Sequence, residues 1–409
     1  MIIWVKVMKL LPAVIGHQKK LFFVGLTALL LSAFAACAAG IYLGSASELI
    51  ALIPGLMILV PPSINMRGSI SGVMASRLSS SMHLGEFEID FSRDSVLGAN
   101  TSASFFATII LSFVLGIFAW LISGIFGIKG LGLFDFVLIS VVSGALSGFI
   151  VIIIALLIAI ICYKKGIDLD MVASPTVTTT GDIVTIPILV ITAVLIMEIH
   201  PQMRLLMLAA VVVITAAAFI FYLYYSRDSS YEVLKEIVPL LIPLSFLGVL
   251  AGMTYVTDIE KLIAYAVFLV LIPPLMGGCG SIGGILCSRL ATGMHMGELT
   301  PSVVPSREVF GHFAESYLYS VILLPLLALI VYYASLMLGI ETPGFWTLMI
   351  ICIITGLLVV TLVNIIGYFA ASMSFRYGLD PDNFGIPVIT SFIDLAGAAL
   401  LVTVINLLL

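Results

Sequence analysis

The sequence predicts an all-α polytopic membrane protein of eleven transmembrane helices, in which one linker span joins two parallel five-helix repeats. Three observations carry this prediction. Hydrophobic residues make up 62% of the 409 residues and charged residues only 10%, whereas about a quarter of a soluble protein is charged. Apolar runs of roughly 20 residues, each long enough to cross a bilayer, recur along the chain. The second half also repeats the first at an offset of 212 residues.

The apolar runs give the order of the spans. The first repeat is predicted to contain spans near 21–43, 47–78, 99–126, 133–162 and 171–197. The offset predicts five more, near 233–255, 259–290, 311–338, 345–374 and 383–407. The run from Leu205 to Tyr225 has no counterpart in either repeat and is assigned as the linker span. The predicted domains are therefore a cytoplasmic N-terminal segment, a first repeat, a linker helix and a second repeat, at 1–20, 21–198, 199–230 and 231–409.

The odd linker span predicts the orientation of the repeats. Two successive five-span units would be inverted in the membrane, and one extra crossing restores the same orientation, so we expect a pseudo-twofold axis along the membrane normal. With the N-terminus inside, 13 Lys and Arg residues fall on the inner side and three on the outer side. The positive-inside rule then predicts a multi-pass protein of the cell membrane, with a cytoplasmic N-terminus and an external C-terminus.

Two predicted spans carry an aspartate at membrane depth. Asp182 lies within the apolar run Met171 to Met197, where an ionised carboxylate costs about 2.5–3.5 kcal/mol on insertion scales and marks a functional-site candidate. In a helix, Pro175 and Thr178 share its face, and the prolines of this span free backbone carbonyls that a cavity-lining helix could turn toward an ion. The second copy repeats the pattern as Pro387, Thr390 and Asp394.

The chemistry of these two spans points to a divalent cation. Two carboxylates related by a twofold axis supply a charge near -2, and Arg67, present in one copy only, is the single basic residue within the facing runs. Carboxylate, hydroxyl and carbonyl oxygens are the ligands that Mg²⁺ prefers, and Mg²⁺ usually keeps several of its waters. The structural alternative is an aspartate that is hydrogen-bonded to a threonine of its own bundle.

The second span carries the strongest repeat. PPSINMRGSISGVMASRLSSSMHLGE at 61–86 and PPLMGGCGSIGGILCSRLATGMHMGE at 273–298 are identical at 13 of 26 positions. Small residues recur at every fourth position, which is typical of close helix packing. The double proline at the start removes two backbone donors, predicts a break of the helix at membrane depth, and favours a cavity-lining element.

The predicted inner ends of these spans carry charge. His83 and Glu86, with their copies His295 and Glu298, are interpreted as helix caps and a mouth that attracts cations. Asp170 and Asp382 precede the aspartate-bearing helices and are interpreted as first-turn carboxylates, as an acidic vestibule, or as both. Arg77 and Arg289 are expected to extend to the inner lipid headgroups.

The two motifs together resemble those of the MgtE-type magnesium transporters. The resemblance rests on the glycine, R-L and G-E positions of the second span and on D-x-D followed by P-x-x-T-x-x-x-D in the fifth. It covers the chain from about residue 21, and the tandem form resembles the animal solute-carrier branch. The resemblance implies that Asp182 and Asp394 hold a hydrated Mg²⁺. Ser69 and Ser281 stand where the family has asparagine, so the accessory contacts of the ion differ from the family pattern.

The expected function is a Mg²⁺ transporter or channel whose ion path lies between the repeats. An exchanger that loads Na⁺ or H⁺ on the same aspartates is the alternative. A metal-dependent enzyme using His83 and Glu86 is disfavoured, because nothing in the sequence assembles an activated water with oxyanion donors. The expected partners are Mg²⁺ and the lipid bilayer, not nucleic acid, and one chain is expected to act as a pseudo-dimer. The five cysteines form no C-x-x-C pair and predict neither disulfides nor a zinc site.

Overall fold

The structure is a computed structural model of the whole chain. It describes the backbone of residues 2–92, 95–128, 130–165, 169–224, 229–302, 304–377 and 381–409. Within these ranges, side chains are described except at 2–21, 24, 83, 170–178, 221–224, 229–232, 236, 295 and 381–384.

Every regular element in the described ranges is an α-helix. The helices are α1 (Ile2–Ser45), α2 (Ser47–Leu52), α3 (Gly55–Leu84), α4 (Val96–Ile125), α5 (Leu133–Lys165), α6 (Leu169–Glu198), α7 (Pro201–Tyr224), α8 (Ser229–Thr257), α9 (Ile259–Ala264), α10 (Val267–His295), α11 (Arg307–Met337), α12 (Phe345–Arg376) and α13 (Pro381–Leu408). The prediction of an all-α protein is confirmed.

Ten helices within the described residues are long and apolar enough to cross a membrane. They are α1, α4 to α8 and α10 to α13, and they make the chain a multi-pass membrane protein. α3 has 30 residues, about 45 Å at 1.5 Å per residue, but Arg67, Arg77 and several serines lower its apolar character. The eleventh span and the parallel arrangement of the repeats remain predictions.

Each predicted second span is two helices instead of one. The long spans 47–78 and 259–290 are wrong in this respect, because α2 and α9 are separate short helices that end before α3 and α10 begin. The break in the first copy falls at Ile53, whose φ of -130° and ψ of 72° are not helical. Ile53 precedes Pro54, and a proline disfavours the helical conformation at the residue before it. The second copy breaks at the equivalent Tyr265, with φ of -123° and ψ of 80°, where no proline follows, so the proline is not required for the break.

The double prolines lie inside α3 and α10, so the predicted break at these residues is also wrong. Pro62 has no N–H, and the carbonyl of Ile58 therefore loses its usual donor. α8 covers this stretch with glycines: a Cβ added at Gly252 would lie 2.5 Å from the Ile58 oxygen, and one at Gly248 would lie 2.7 Å from Pro62 Cβ. Close approach of a glycine Cα–H to a carbonyl gives a weak hydrogen bond, which helps the helix to continue through the prolines.

One compact unit comprises Ala38–Val270. Within it, α3 packs against α4, α5, α6 and α8, and α7 packs against α4 and α5. Arg204 near the start of α7 donates to the backbone oxygens of Met197 and Ile199 and to Asp135 at the start of α5. This arginine therefore ties the linker helix to the end of α6 and to α5.

The other compact unit comprises Met1–Cys37 and Leu271–Leu409. α12 packs against α11 and α13. α10 packs against α12 and α13 at Gly283, whose added Cβ would lie near Val363 of α12 and Ile389 of α13. The Phe22 ring of α1 stacks on Tyr319 of α11 with centroids 4.7 Å apart.

The first helix of each sequence repeat therefore packs on helices of the other repeat. α1 lies against α11, whereas α8 lies against α3 and α4. All five cysteines lie among the described residues, are buried and form no disulfide.

Candidate functional site

Asp182 lies where α6 crosses α3. The residue is buried, with 5% of its surface exposed. A Cβ added at the neighbouring Gly181 would lie 3.7 Å from Arg67 Cβ and 4.0 Å from the Gly68 nitrogen. The glycine thus lets α6 approach the motif helix at the level of the candidate ion ligand.

Asp394 lies at the equivalent crossing of α13 over α10. A Cβ added at Gly280, the copy of Gly68, would lie 3.6 Å from Thr390 Cγ2, one turn before Asp394. Asp394 itself is half-buried, in contrast to Asp182. In each unit the structure brings the aspartate helix against the glycine of the second-span motif, and the two aspartates differ in burial.

The motif serines hydrogen-bond within their own helices. The Ser281 hydroxyl donates to the Gly277 oxygen at 2.8 Å, and the Ser69 hydroxyl donates to the Asn65 side-chain oxygen at 3.2 Å. Asn65 is half-buried and has glycine as its copy. The sequence analysis missed Asn65, which places a carboxamide one turn before Ser69.

The proline and threonine partners are described in the second copy only. Pro387 is buried, and the Thr390 hydroxyl donates to the backbone oxygens of Ile386 and Pro387, each at 3.1 Å. The side chains of Pro175 and Thr178 lie outside the described residues.

The glycines Gly72 and Gly284 mark an open face on the motif helices. A Cβ added at either would have no heavy atom within 4 Å in the described part of the chain. Gly72 lies one turn after Gly68 and Gly284 one turn after Gly280. Among the described residues, the small residues of the motif therefore do not all serve close packing.

The G-E pair of each motif ends its helix. Gly85 and Gly297 both have φ of 74°, a left-handed conformation that glycine adopts without strain. The nitrogen of Glu86 donates to the Ser81 oxygen, and that of Glu298 to the Gly293 oxygen, each at 2.9 Å. These bonds form a Schellman-type cap, so the predicted cap is built by the backbone of the G-E pair.

The carboxylates near these helix ends are exposed wherever their side chains are described. Glu86 and Glu298 are exposed. In the loop after Glu86, hydrogen bonds from the side chain and the backbone of Ser92 hold the pKa of Asp90 below its usual range. The side chains of Asp170, Asp382, His83 and His295 lie outside the described residues.

Arg67 extends from α3 into its own bundle and is 2% exposed. Its Nε donates to the Ser147 hydroxyl of α5 at 2.9 Å. Nη2 would lie 2.8 Å from a Cβ added at Gly144. Nη1 is buried without a hydrogen-bond partner in the described part of the chain. The sequence gives no sign of this environment, because Ser147, which accepts the hydrogen bond from Arg67, is 80 residues away.

The second copy carries an ion pair in place of headgroup contact. Arg289 Nη1 donates to Glu315 Oε2 at 2.7 Å, and the Tyr319 hydroxyl donates to Glu315 Oε1 at 3.0 Å. The expectation that Arg289 extends to the headgroups is therefore wrong, because Glu315 on the facing helix binds the guanidinium. Ala103 is the first-copy counterpart of Glu315, so this pair has no equivalent there.

The described side chains include no cluster of three or more His, Cys, Asp or Glu residues that could enclose a metal ion. Each unit places one of the predicted aspartates on a helix that packs against small residues of its motif helix.

Comparisons with known proteins identify the family of the chain. The family profile MgtE, described as a divalent cation transporter, matches residues 60–192 and again 272–404. Solute carrier family 41 member 3 of Mus musculus is 25% identical over 369 residues, covering 85% of this chain and 74% of the mouse protein. Solute carrier family 41 member 2 of Homo sapiens is 25% identical over 398 residues, covering 91% and 68%. No solved structure matches significantly. The two profile matches include both aspartates and both second-span motifs, at 61–86 and 273–298. The chain belongs to the MgtE family of divalent cation transporters.

Proposed function

We propose that this chain carries Mg²⁺ across the cell membrane, as a transporter or channel, along a path to which each repeat contributes one aspartate. Asp182 and Asp394 hold the ion through its waters, and Thr178, Thr390, Ser69 and Ser281 are accessory contacts. The observation that carries the proposal is the repeated crossing of an aspartate helix over the glycine of a motif helix, at Gly181 with Gly68 and at Thr390 with Gly280.

The chemistry of the site supports Mg²⁺ over softer metals. The groups at the two crossings are carboxylates, hydroxyls and backbone oxygens. Thiolate and imidazole ligands favour copper, zinc and iron, and the buried cysteines are interpreted as packing residues. We expect the sides of the motif helices at Gly72 and Gly284, where no described atom lies within 4 Å of an added Cβ, to offer room for an ion that keeps its waters.

A flux assay tests the proposal. Purified protein in liposomes that contain a Mg²⁺-sensitive dye should admit Mg²⁺ when the ion is added outside, and empty liposomes should not. The same assay with a Na⁺ or H⁺ gradient separates a passive path from the exchanger, because only the exchanger gains rate from the gradient. Absence of Mg²⁺ flux under every gradient would contradict the proposed function.

The proposed topology places the N-terminus in the cytoplasm and Leu409 outside, and it retains the domain limits 1–20, 21–198, 199–230 and 231–409. We expect a C-terminal reporter that is active only in the cytoplasm to be silent, and the same reporter at the N-terminus to be active. The reasons are the 13-to-3 distribution of basic residues and the additional span of α7. An active C-terminal reporter would contradict both the eleven spans and the parallel repeats.

The proposed assembly is a single chain, since each repeat supplies one copy of both motifs. We expect Mg²⁺ flux from the 43.7 kDa species when liposomes receive on average less than one chain each. Flux that appears only at two or more chains per liposome would show that one chain does not complete the path.

A further inference from the structure

The two halves differ in charge beside their aspartates. Arg67, on α3, corresponds at the 212-residue offset to Cys279 on α10. Arg67 is almost completely buried, and the neighbouring helix α6 passes it at Gly181, the residue before Asp182. A buried arginine thus accompanies the aspartate of the first half, whereas a buried cysteine occupies the same place in the second.

The residues around this position also differ between the two halves. In the second half Ile393 corresponds to Gly181, and its Cδ1 would lie 3.6 Å from a Cβ added at Gly283. Gly283 corresponds to Ser71 in the first half. One half therefore combines arginine, serine and glycine, and the other combines cysteine, glycine and isoleucine. Only the first set carries a charge.

The guanidinium of Arg67 is held by neutral groups where its contacts are described. Its Nε donates to Ser147, and its Nη1 has no hydrogen-bond partner in the described part of the chain. Arg67 takes part in neither of the ion pairs Arg204–Asp135 and Arg289–Glu315. A buried arginine that is hydrogen-bonded to a serine hydroxyl costs more than an apolar side chain of the same size. Charged side chains at membrane depth mark ion pathways, and this cost favours a role for the charge itself.

We propose that Arg67 is a fixed positive charge that weakens the hold of the Asp182 side of the site on Mg²⁺ and so speeds release of the ion. This inference rests on the proposed function. Conduction requires binding that is favourable enough for entry and weak enough for exit. Two carboxylates attract a divalent ion strongly in a low-dielectric site, and a fixed positive charge on the helix that packs against the Asp182 helix opposes that attraction.

Removal of the charge is the first test, with Arg67→Met as the uncharged variant and Arg67→Lys as its matched control. We expect Arg67→Met to lower the half-saturating Mg²⁺ concentration by about fivefold or more, because a unit charge near a divalent ion repels it by more than thermal energy at an effective dielectric near 20. The maximal flux should fall as well, because release becomes slower. Arg67→Lys keeps the charge and should retain the wild-type half-saturating concentration.

Transplantation of the second-half set is the second test, and it decides the question if Arg67→Met does not fold. The triple variant Arg67→Cys, Ser71→Gly, Gly181→Ile removes the charge and restores the packing that already exists around Cys279. We expect a thermal midpoint close to that of wild type, together with the same fall in half-saturating concentration and maximal flux. If Arg67 served packing alone, the substitutions would shift the thermal midpoint but would not lower the half-saturating Mg²⁺ concentration and the maximal flux together.

Two results would overturn the inference. One is a folded triple variant with wild-type half-saturating concentration and maximal flux. The other is an Arg67→Lys variant that shifts the half-saturating concentration as far as the uncharged variants do. The same liposomes separate this failure from failure of the proposed function: wild-type flux that depends on Asp182 and Asp394 but not on Arg67 refutes only the role of Arg67, whereas absence of wild-type flux refutes the function.

Discussion

Asp182→Asn and Asp394→Asn should each lower Mg²⁺ flux at least about tenfold, equivalent to about 1.4 kcal/mol of lost ion stabilisation, and the double variant should abolish flux. Asparagine keeps the shape of the side chain and removes one negative charge. In the proposed site both carboxylates hold the waters of one ion, so loss of either weakens the same complex. The measurement is initial Mg²⁺ entry into liposomes at equal protein content.

The physical reason is the cost of the empty site. In the proposed site the two carboxylates repel each other when no ion is bound, and this repulsion favours uptake of a proton or a movement of the charges apart. Mg²⁺ removes this repulsion when it binds. The buried position of Asp182 strengthens the effect on that side, and Asp182→Asn should therefore cost more flux than Asp394→Asn.

Asp170→Asn and Asp382→Asn serve as controls at the predicted inner mouth. If they line an acidic vestibule, their removal should lower flux by less than the site variants, and the loss should shrink in high salt, which screens exposed charges. Intact Mg²⁺ flux in a folded Asp182→Asn, Asp394→Asn double variant would show that these aspartates do not form the ion site.

Gly252→Ala should destabilise the protein by about 1–3 kcal/mol or more, the usual cost of overpacking. The new methyl would lie 2.5 Å from the Ile58 oxygen and 2.7 Å from Ile58 Cα. These are backbone atoms of α3 and cannot move aside as a flexible side chain would. A thermal unfolding midpoint in detergent, measured with and without Mg²⁺, reports the loss.

Gly72→Ala is the matched control, because the same substitution meets no heavy atom within 4 Å in the described part of the chain. The midpoint should stay unchanged or rise, since alanine favours a helix over glycine by about 1 kcal/mol. Equal destabilisation by the two substitutions would mean that α8 does not pack on the proline stretch of α3 as described.

Much of the fold was predictable because apolar length and internal repetition leave little choice in a bilayer. The predicted spans near 99–126, 133–162 and 345–374 match α4, α5 and α12 closely. The breaks were not predictable, since the sequence analysis assigned them to the double prolines. Gly248 and Gly252 of α8 lie against Pro62 and Ile58 of α3, where the helix continues. The chain breaks instead at Ile53, before Pro54.

The candidate site was predictable in its residues but not in its surroundings. The position of Asp182 and Asp394 within apolar runs identifies both carboxylates from sequence alone. Their unequal burial follows from contacts that the motifs do not encode. Arg67 reaches Ser147, about 80 residues away, and Glu315 binds Arg289 across two helices, and such distant partners have no fixed spacing in a sequence.

The sequence by itself determined that this protein is helical, crosses a membrane many times, is internally duplicated, and belongs among divalent cation transporters. The first three properties follow from composition, periodicity and internal repetition, which are local or depend on a single offset, and the last follows from the resemblance of the motifs to a known family. Only the tertiary structure decided that α8 packs on α3 and α4 while α1 packs on α11, and that Arg67 stands beside the Asp182 helix. Which apolar helices become neighbours depends on how well the small and large residues on their surfaces fit together. In a bilayer the lipid tails are as apolar as the helices, so the hydrophobic effect does not favour one neighbour over another.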